Sequence, residues 1–252
     1  MSLPPLRIAT YNIHKGMSPL NGQVRLPEIA HNLQALATDV LFLQEVQGRH
    51  SHRAARFGDW PTEAQHHYLA RHLQANATYG LNCAYESGHH GNAIVSRFPV
   101  QHWCNLDISV NRFERRGVLH CDFLPPRWSV GVTALCVHLN LLGRDRKKQF
   151  AALADYIRHA VPAGNALIVA GDFNDWRAHA NDQLAHALGL VEVHHALFGH
   201  HARSYPARLP LLSLDRIYVR GLAVHEARVL RGLPWARLSD HLPLTASLLP
   251  EG

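Results

Sequence analysis

Residues 146–174, RKKQFAALADYIRHAVPAGNALIVAGDFN, decide the fold. The stretch reads as a helix over Arg146–His159, a Pro-Ala-Gly break, and a buried strand over Ala166–Ala170 that delivers Asp172 and Asn174 at its C-terminal end. The same order of helix, apolar strand and carboxylate occurs earlier, in PEIAHNLQALATDVLFLQEV (27–46). There a proline opens a helix over Pro27–Ala37, and the strand Val40–Val46 ends near Glu45. Strand C-termini are where open α/β sheets assemble ligand sites. Two such halves packed face to face bring both polar ends to one rim. The expectation is a four-layer α/β/β/α sandwich: two packed mixed β-sheets with helices outside.

Working outward, strand patterns cover Leu6–Ile13, Tyr79–Glu86, Asn92–Ser96, His102–Ser109, Gly117–Phe123 and Ser129–Asn140, with three more near Leu214–Val219, Val224–Leu230 and Pro243–Leu249. Further helices are expected over Thr62–Ala75 and near Asp182–Leu188. No Pro/Gly/Ser-rich linker interrupts the order, so residues 1–252 are expected to form a single domain.

Composition sets the bounds. The 252 residues are 47% apolar and 17% charged, the profile of an ordinary globular protein. Of the 25 basic residues 22 are Arg, whose forks match phosphate oxygens, and the net charge of +6 leans toward an anionic substrate. Four cysteines without a CxxC pair read as small core residues in a reducing compartment, and the N-terminus shows no secretory apolar core. No apolar run reaches the ~20 residues of a membrane span. The expected location is cytoplasmic. The HH pairs (His66–His67, His89–His90, His194–His195, His200–His201) lack a regular ligand spacing and read mainly as exposed loop and helix histidines.

The chemistry sits at the strand ends. Asp172 and Asn174 lie two apart, so on an extended chain both point to one side and together can hold an attacking water and steady a phosphate oxygen. Gly-Asp and Asn-Asp are equally turn punctuation, and the stretch alone does not decide. Glu45 ends a buried strand, which costs free energy unless it is paired or bound to a metal. Such an oxygen ligand suits Mg²⁺, although a surface Glu is the commoner case. LSDHLPL (238–244) sets Asp240 beside His241, a group suited to proton transfer near neutral pH, and SLDRIYV (213–219) offers Asp215 to fix its tautomer. A structural histidine and an Asp215–Arg216 ion pair are the plain alternatives. RIATYNIH (7–14) ends with Asn12, an uncharged ligand or phosphate contact; ALCVHLNLL (134–142) ends with His138 and Asn140, two apart and facing one way.

In chain order TYNIHKG, LFLQEV, ERRG, VHLN, GDFN, LDRI and SDHLP resemble the endonuclease/exonuclease/phosphatase superfamily. This is the fold of DNase I, AP endonucleases, inositol-polyphosphate 5-phosphatases and sphingomyelinases. The likeness runs from Arg7 to about Leu244 and is nearest the compact bacterial hydrolases of the group. It implies Glu45 as main Mg²⁺ ligand (Mn²⁺ being the other option), with Asn12 and Asp240 close to the ion. Asp172 would orient or deprotonate the attacking water, and Asn174 would contact the scissile phosphate. His241 would bind that phosphate, oriented by Asp215. His138 would assist the leaving oxygen. Arg116 and Asn140 would meet the substrate phosphate, with Arg115 leaving the register of the arginine open. The activity implied is a metal-dependent phosphodiesterase on a small-molecule or lipid-headgroup ester, with a DNA or RNA nuclease as the alternative. A non-catalytic binding module and a zinc enzyme built on the HH pairs rank below both. Short loops leave little room for a duplex-reading insertion, and Trp176 and Trp235 are placed to line the mouth or simply to pack.

Overall fold

A computed structural model of the chain describes residues 3–178 and 185–251. β1 (Leu6–Asn12), α1 (Leu26–Ala35) and β2 (Val40–His50) form a parallel β-α-β unit. α2 (Ser51–Arg56), α3 (Gln65–Leu73) and the hairpin of β3 (Asn76–Tyr85) and β4 (Gly88–Ser96) follow. β5 (Val100–Asp107), β6 (Gly117–Phe123) and β7 (Val132–His138) make an antiparallel meander. α4 (Gly143–Ala160) then carries the chain to β8 (Ala166–Asp172), parallel to β7. The remainder comprises α5 (His186–Leu188), β9 (Val191–Glu192), α6 (Val193–Phe198), β10 (Asp215–Arg220), β11 (Leu222–Val229), α7 (Trp235–Leu238) and β12 (Leu244–Pro250). The helix expected near Asp182–Leu188 begins outside the described residues.

The strands form two six-stranded mixed sheets, ordered β11-β12-β1-β2-β4-β3 and β5-β6-β7-β8-β10-β9. Each is built on one parallel pair, β1/β2 or β7/β8, with antiparallel neighbours on both sides. Alternation along the strands builds three apolar layers. Ile8, Phe42, Ala134, Ile168, Ile217 and Leu248 fill the seam between the sheets. Tyr11, Leu41 and Leu43 pack on the other face, against Ile29 and Leu33 of α1 and Leu69 of α3. Leu135, Leu167 and Val169 pack outward against Phe150, Leu153 and Ile157 of α4. The result is the four-layer sandwich expected.

The short helices α2 and α6 had no signal in the sequence, since both are rich in His or Arg and lack an apolar stripe. Nor are the HH pairs simply exposed. His66 is buried and stacks on Tyr79 with ring centroids 4.4 Å apart, and His194 is buried beside the His200 carbonyl. Among the described residues no helix is long and apolar enough to cross a membrane.

Candidate active site

The two parallel pairs end at one rim. Asn12 lies opposite Gln44 at the end of β1/β2, and His138 opposite Asp172 at the end of β7/β8. β10 and β12 run antiparallel to their neighbours, so their starting ends reach the same rim. Asp215 therefore pairs with Asp172, and Ser239, Asp240 and His241 lie just ahead of β12. Asn12, His138, Asp172 and Asp215 hold strand positions of the parity that faces the opposite sheet, which aims them into the seam.

Two local features permit this. Gly171 has φ +149, and a Cβ there would lie 1.9 Å from the Val137 carbonyl oxygen, so only glycine lets β7 and β8 close up beside His138 and Asp172. In β2 a bulge falls between Leu43 and Val46, with Glu45 at φ 56. Leu43 and Val46 both face the helices, so the extra residue turns Glu45 out of that layer toward the rim.

Asp172 is the hub. Its Oδ2 accepts from Asn12 Nδ2 at 3.1 Å, and stands 3.5 Å from His138 Nε2 and 3.7 Å from His241 Nε2. Its Oδ1 accepts from the Asn174 amide at 3.0 Å. His241 Nδ1 meets Asp215 Oδ2 at 2.7 Å, and its amide donates to Ser239 Oγ, which in turn donates to the Asn12 carbonyl at 2.7 Å. On the other side Lys15 Nζ lies 2.8 Å from Glu45 Oε2, off the geometry of a hydrogen bond, and His14 Nδ1 lies 3.2 Å from Asp240 Oδ1.

Charge separates these groups. Burial pushes Asp172 up to about 6, against the pull of His241 and with the help of Asp215. Burial would lower His241, but the carboxylates of Asp215 and Asp172 carry it up to about 10, so the ring is an imidazolium at neutral pH. His138 goes the other way: burial and then Arg116 hold it well below the usual imidazole range, so it is neutral. Burial would raise Glu45, yet the Lys15 ammonium 2.8 Å away holds it well below the usual carboxylate range. Asp240 is also lowered, by His14 and His241, against its burial.

Glu45, Arg116, His138, Asp172, Asn174, Asp240 and His241 line one cleft, together with Trp176, Tyr205 and Leu141, Leu212 and Leu214. Asn12 and Asp215 stand behind it, holding Asp172 and His241. Of the two arginines Arg116 lines the cleft, donating to the Leu139 carbonyl and pairing with Glu114, whereas Arg115 is half exposed. Trp176 is at the mouth and half exposed; Trp235 is buried edge-on against Tyr11. Asn140 departs from expectation. β7 stops at His138, so the two-residue spacing no longer sets a shared side. Asn140 donates to Asp145 and accepts from Gln149 of α4, and its side chain does not line the cleft. Asn174 is likewise not on an extended chain: it sits at φ 50, and its amide group donates to the Leu139 carbonyl at 2.9 Å. Lys15 and Tyr205 were missed. Lys15 lies inside TYNIHKG, but nothing in its spacing marks it; Tyr205, whose ring is 5.0 Å from that of His241, is in a loop without pattern.

A family model described as "Endonuclease/Exonuclease/phosphatase family" matches residues 9–241. The uncharacterized protein YbhP of Escherichia coli K12 is 40% identical over 242 residues, covering 96% of this chain and 95% of that protein. Among solved structures, an endonuclease/exonuclease/phosphatase from Beutenbergia cavernae aligns with TM-score 0.76 at 23% identity, over 99% of this chain and 72% of that one. TDP2 of D. rerio, complexed with a single-strand DNA product, aligns with TM-score 0.71 at 19% identity, over 97% and 99%. With the sandwich, the ordered motifs and a model match that ends on His241 itself, the chain belongs to the endonuclease/exonuclease/phosphatase family.

Proposed function

We propose that the protein is a Mg²⁺-dependent phosphodiesterase, also served by Mn²⁺, that cleaves a small-molecule or lipid-headgroup diester by in-line attack of water. The observation that carries this reading is the pairing of a cationic His241 with an Asp172 poised near neutrality, 3.7 Å apart on one cleft floor. Asp172 is largely ionised at pH 7 and close enough to its pKa to orient a water and take its proton. His241, held by Asp215, donates a charged hydrogen bond to a phosphoryl oxygen as negative charge grows there. Arg116 and Asn174 reach the same cleft and steady the phosphate. His138 is neutral, so it supports the leaving oxygen through a hydrogen bond and not from a stored proton.

The oxygen donors Glu45 and Asp240, with Asn12 beside them, fit a hard divalent cation. Glu45 Oε2 is buried and faces the Lys15 ammonium at 2.8 Å, so this corner already balances a buried carboxylate with a positive charge, a role a metal ion would share. Bound there, Mg²⁺ would polarise the phosphate and offset its charge. For the substrate, Leu141, Leu212 and Trp176 make the mouth apolar and exposed, which suits an apolar or aromatic substituent better than a further row of phosphates. Nuclease activity is the second reading, favoured by the net charge of +6.

The test is turnover of bis-p-nitrophenyl phosphate, phospholipid headgroup diesters, plasmid and single-stranded oligonucleotides with Mg²⁺, Mn²⁺ or EDTA. Metal-dependent cleavage of the small diesters, abolished in His241→Ala and Asp172→Ala, is expected. Preference for oligonucleotides with a steep fall in salt selects the nuclease, and no turnover by folded, metal-loaded protein overturns the enzymatic reading.

A further inference from the structure

The helix-facing side of the second sheet carries a polar cluster that the cleft does not use. His102 on the edge strand β5 is the cross-strand partner of Asp122 on β6, and His120 lies one pleat along on the same face. A bulge in β5 between Val100 and His102 sets that pairing. One donor atom from each residue lies within 4.8 Å of the other two. Asp122 Oδ2 is 3.0 Å from His120 Nε2 and 3.4 Å from His102 Nδ1. Ligands held at about 2.0–2.2 Å by a tetrahedral zinc ion stand roughly 3.3–3.5 Å from one another, so both contacts already have nearly the length of a coordination edge.

The second observation concerns how His120 is held. His120 is 2% exposed, and its Nε2 faces Asp122 Oδ2 at 3.0 Å, with the carboxylate oxygen off the line of a ring N–H. Its Nδ1 is 2.7 Å from the Tyr156 hydroxyl, which also contacts Cys104 Sγ at 3.1 Å. With the Tyr156 proton directed to Cys104, His120 Nδ1–H donates to the phenol oxygen and Nε2 presents its lone pair into the cluster. A ring fixed through its far nitrogen in this way is the arrangement found behind metal-ligating histidines. The other oxygen of Asp122 accepts from Thr133 Oγ1, itself held by Asn165.

We propose that His102, His120 and Asp122 bind a zinc ion that fastens the edge strand β5 to β6, with water in the fourth position. Two imidazoles and one carboxylate favour Zn²⁺ over Mg²⁺. The site is separate from the cleft, because β6 runs away from the catalytic rim from its Gly117 end and these side chains point toward α4, not into the seam. His102 is more than half exposed and gives the ion its entry path.

Chelator-washed, full-length protein is titrated with Zn²⁺, and with Co²⁺ as a spectroscopic probe. The variants are His102→Ala, His120→Gln, Tyr156→Phe and the cleft pair Glu45→Gln/Asp172→Asn, each checked for fold by circular dichroism. One tightly held zinc per chain, a tetrahedral cobalt spectrum and a raised melting temperature are expected for the wild type and the cleft variant alike. His102→Ala, at an exposed position, should fold normally and bind about 100-fold more weakly; Tyr156→Phe should lose about 10–100-fold in affinity. Folded wild type that takes up no zinc overturns the proposal. So does zinc bound as tightly by His102→Ala and His120→Gln as by the wild type, or zinc lost only from the cleft variant.

Discussion

The two β-α-β halves of the molecule place a carboxylate at the same topological point and treat it oppositely. The parallel pairing of β1 with β2 ends at Asn12 and Gln44, with Glu45 next in the bulge before β2 runs on to His50; that of β7 with β8 ends at His138 and Asp172. Glu45 is pressed against the Lys15 ammonium and stays ionised far below neutrality, while Asp172, 2% exposed and beside Asp215, is lifted to about 6. One half thus offers a permanent anion, the other a group that can accept a proton. Carboxylates whose surroundings drive their pKa values apart mark a division of labour. Here the division comes from neighbours, not from topology: Lys15 in a tight turn on one side, a second buried carboxylate on the other.

The largest expected effect breaks the chemistry of the second half. Asp172→Asn and His241→Ala should each lower kcat by about 10²–10⁴-fold with the Mg²⁺ midpoint nearly unchanged. Glu45→Gln should instead shift the Mg²⁺ midpoint upward, with part of the activity restored at high metal. A Glu45→Gln enzyme with wild-type metal response would end the proposed division.

Stability of chelator-washed protein sharpens the contrast. Asp172 has a folded pKa near 6 against an ordinary 3.8, so the folded state binds more protons and stability attributable to this group falls as pH rises from about 3.8 to 6. Asp172→Asn should therefore stabilise the protein at pH 7 in denaturant unfolding, by less than the full burial penalty because the His241 imidazolium loses one of its carboxylates. Glu45 has the opposite sign: its contribution is present above its ordinary value of 4.5 and is lost as pH falls below it. Glu45→Gln should destabilise at pH 7. Equal shifts of the same sign in the two variants would contradict the contrast.

Smaller effects follow at the joints. Asn140→Ala, which removes one hydrogen-bond partner from each of Asp145 and Gln149, should cost about 2 kcal/mol while leaving KM within error, since its side chain does not reach the cleft. A raised KM with unchanged stability would restore Asn140 as a phosphate contact. Ser239→Ala removes the link between the Asn12 carbonyl and the His241 amide; it should cost about 1 kcal/mol and loosen the two halves at the rim. Unchanged unfolding and kinetics would show that this link is idle.

Much of this was legible before the fold was seen. Strands announce themselves by alternation and apolar runs, as β6 over Gly117–Phe123 did to the residue. Boundaries failed where the chain leaves its period: the bulge at Glu45, the left-handed Asn174 and the stop at His138 each redirect a side chain by one local dihedral change. Sequence spacing assumes an unbroken period, so it predicted that His138 and Asn140 share a side, and it could not choose between Arg115 and Arg116.

The residue types and their order, with carboxylates, amides and histidines at the ends of buried strands, were determined by sequence alone, because alternation and apolar runs are local properties of the chain. Which of them meet was decided only in three dimensions. Asn12 donates to Asp172 across 160 positions, and His241 meets Asp215 across 26. The protonation that gives each its role arises from that meeting, since desolvation and Coulomb interactions depend on distance through the packed protein and not on distance along the chain.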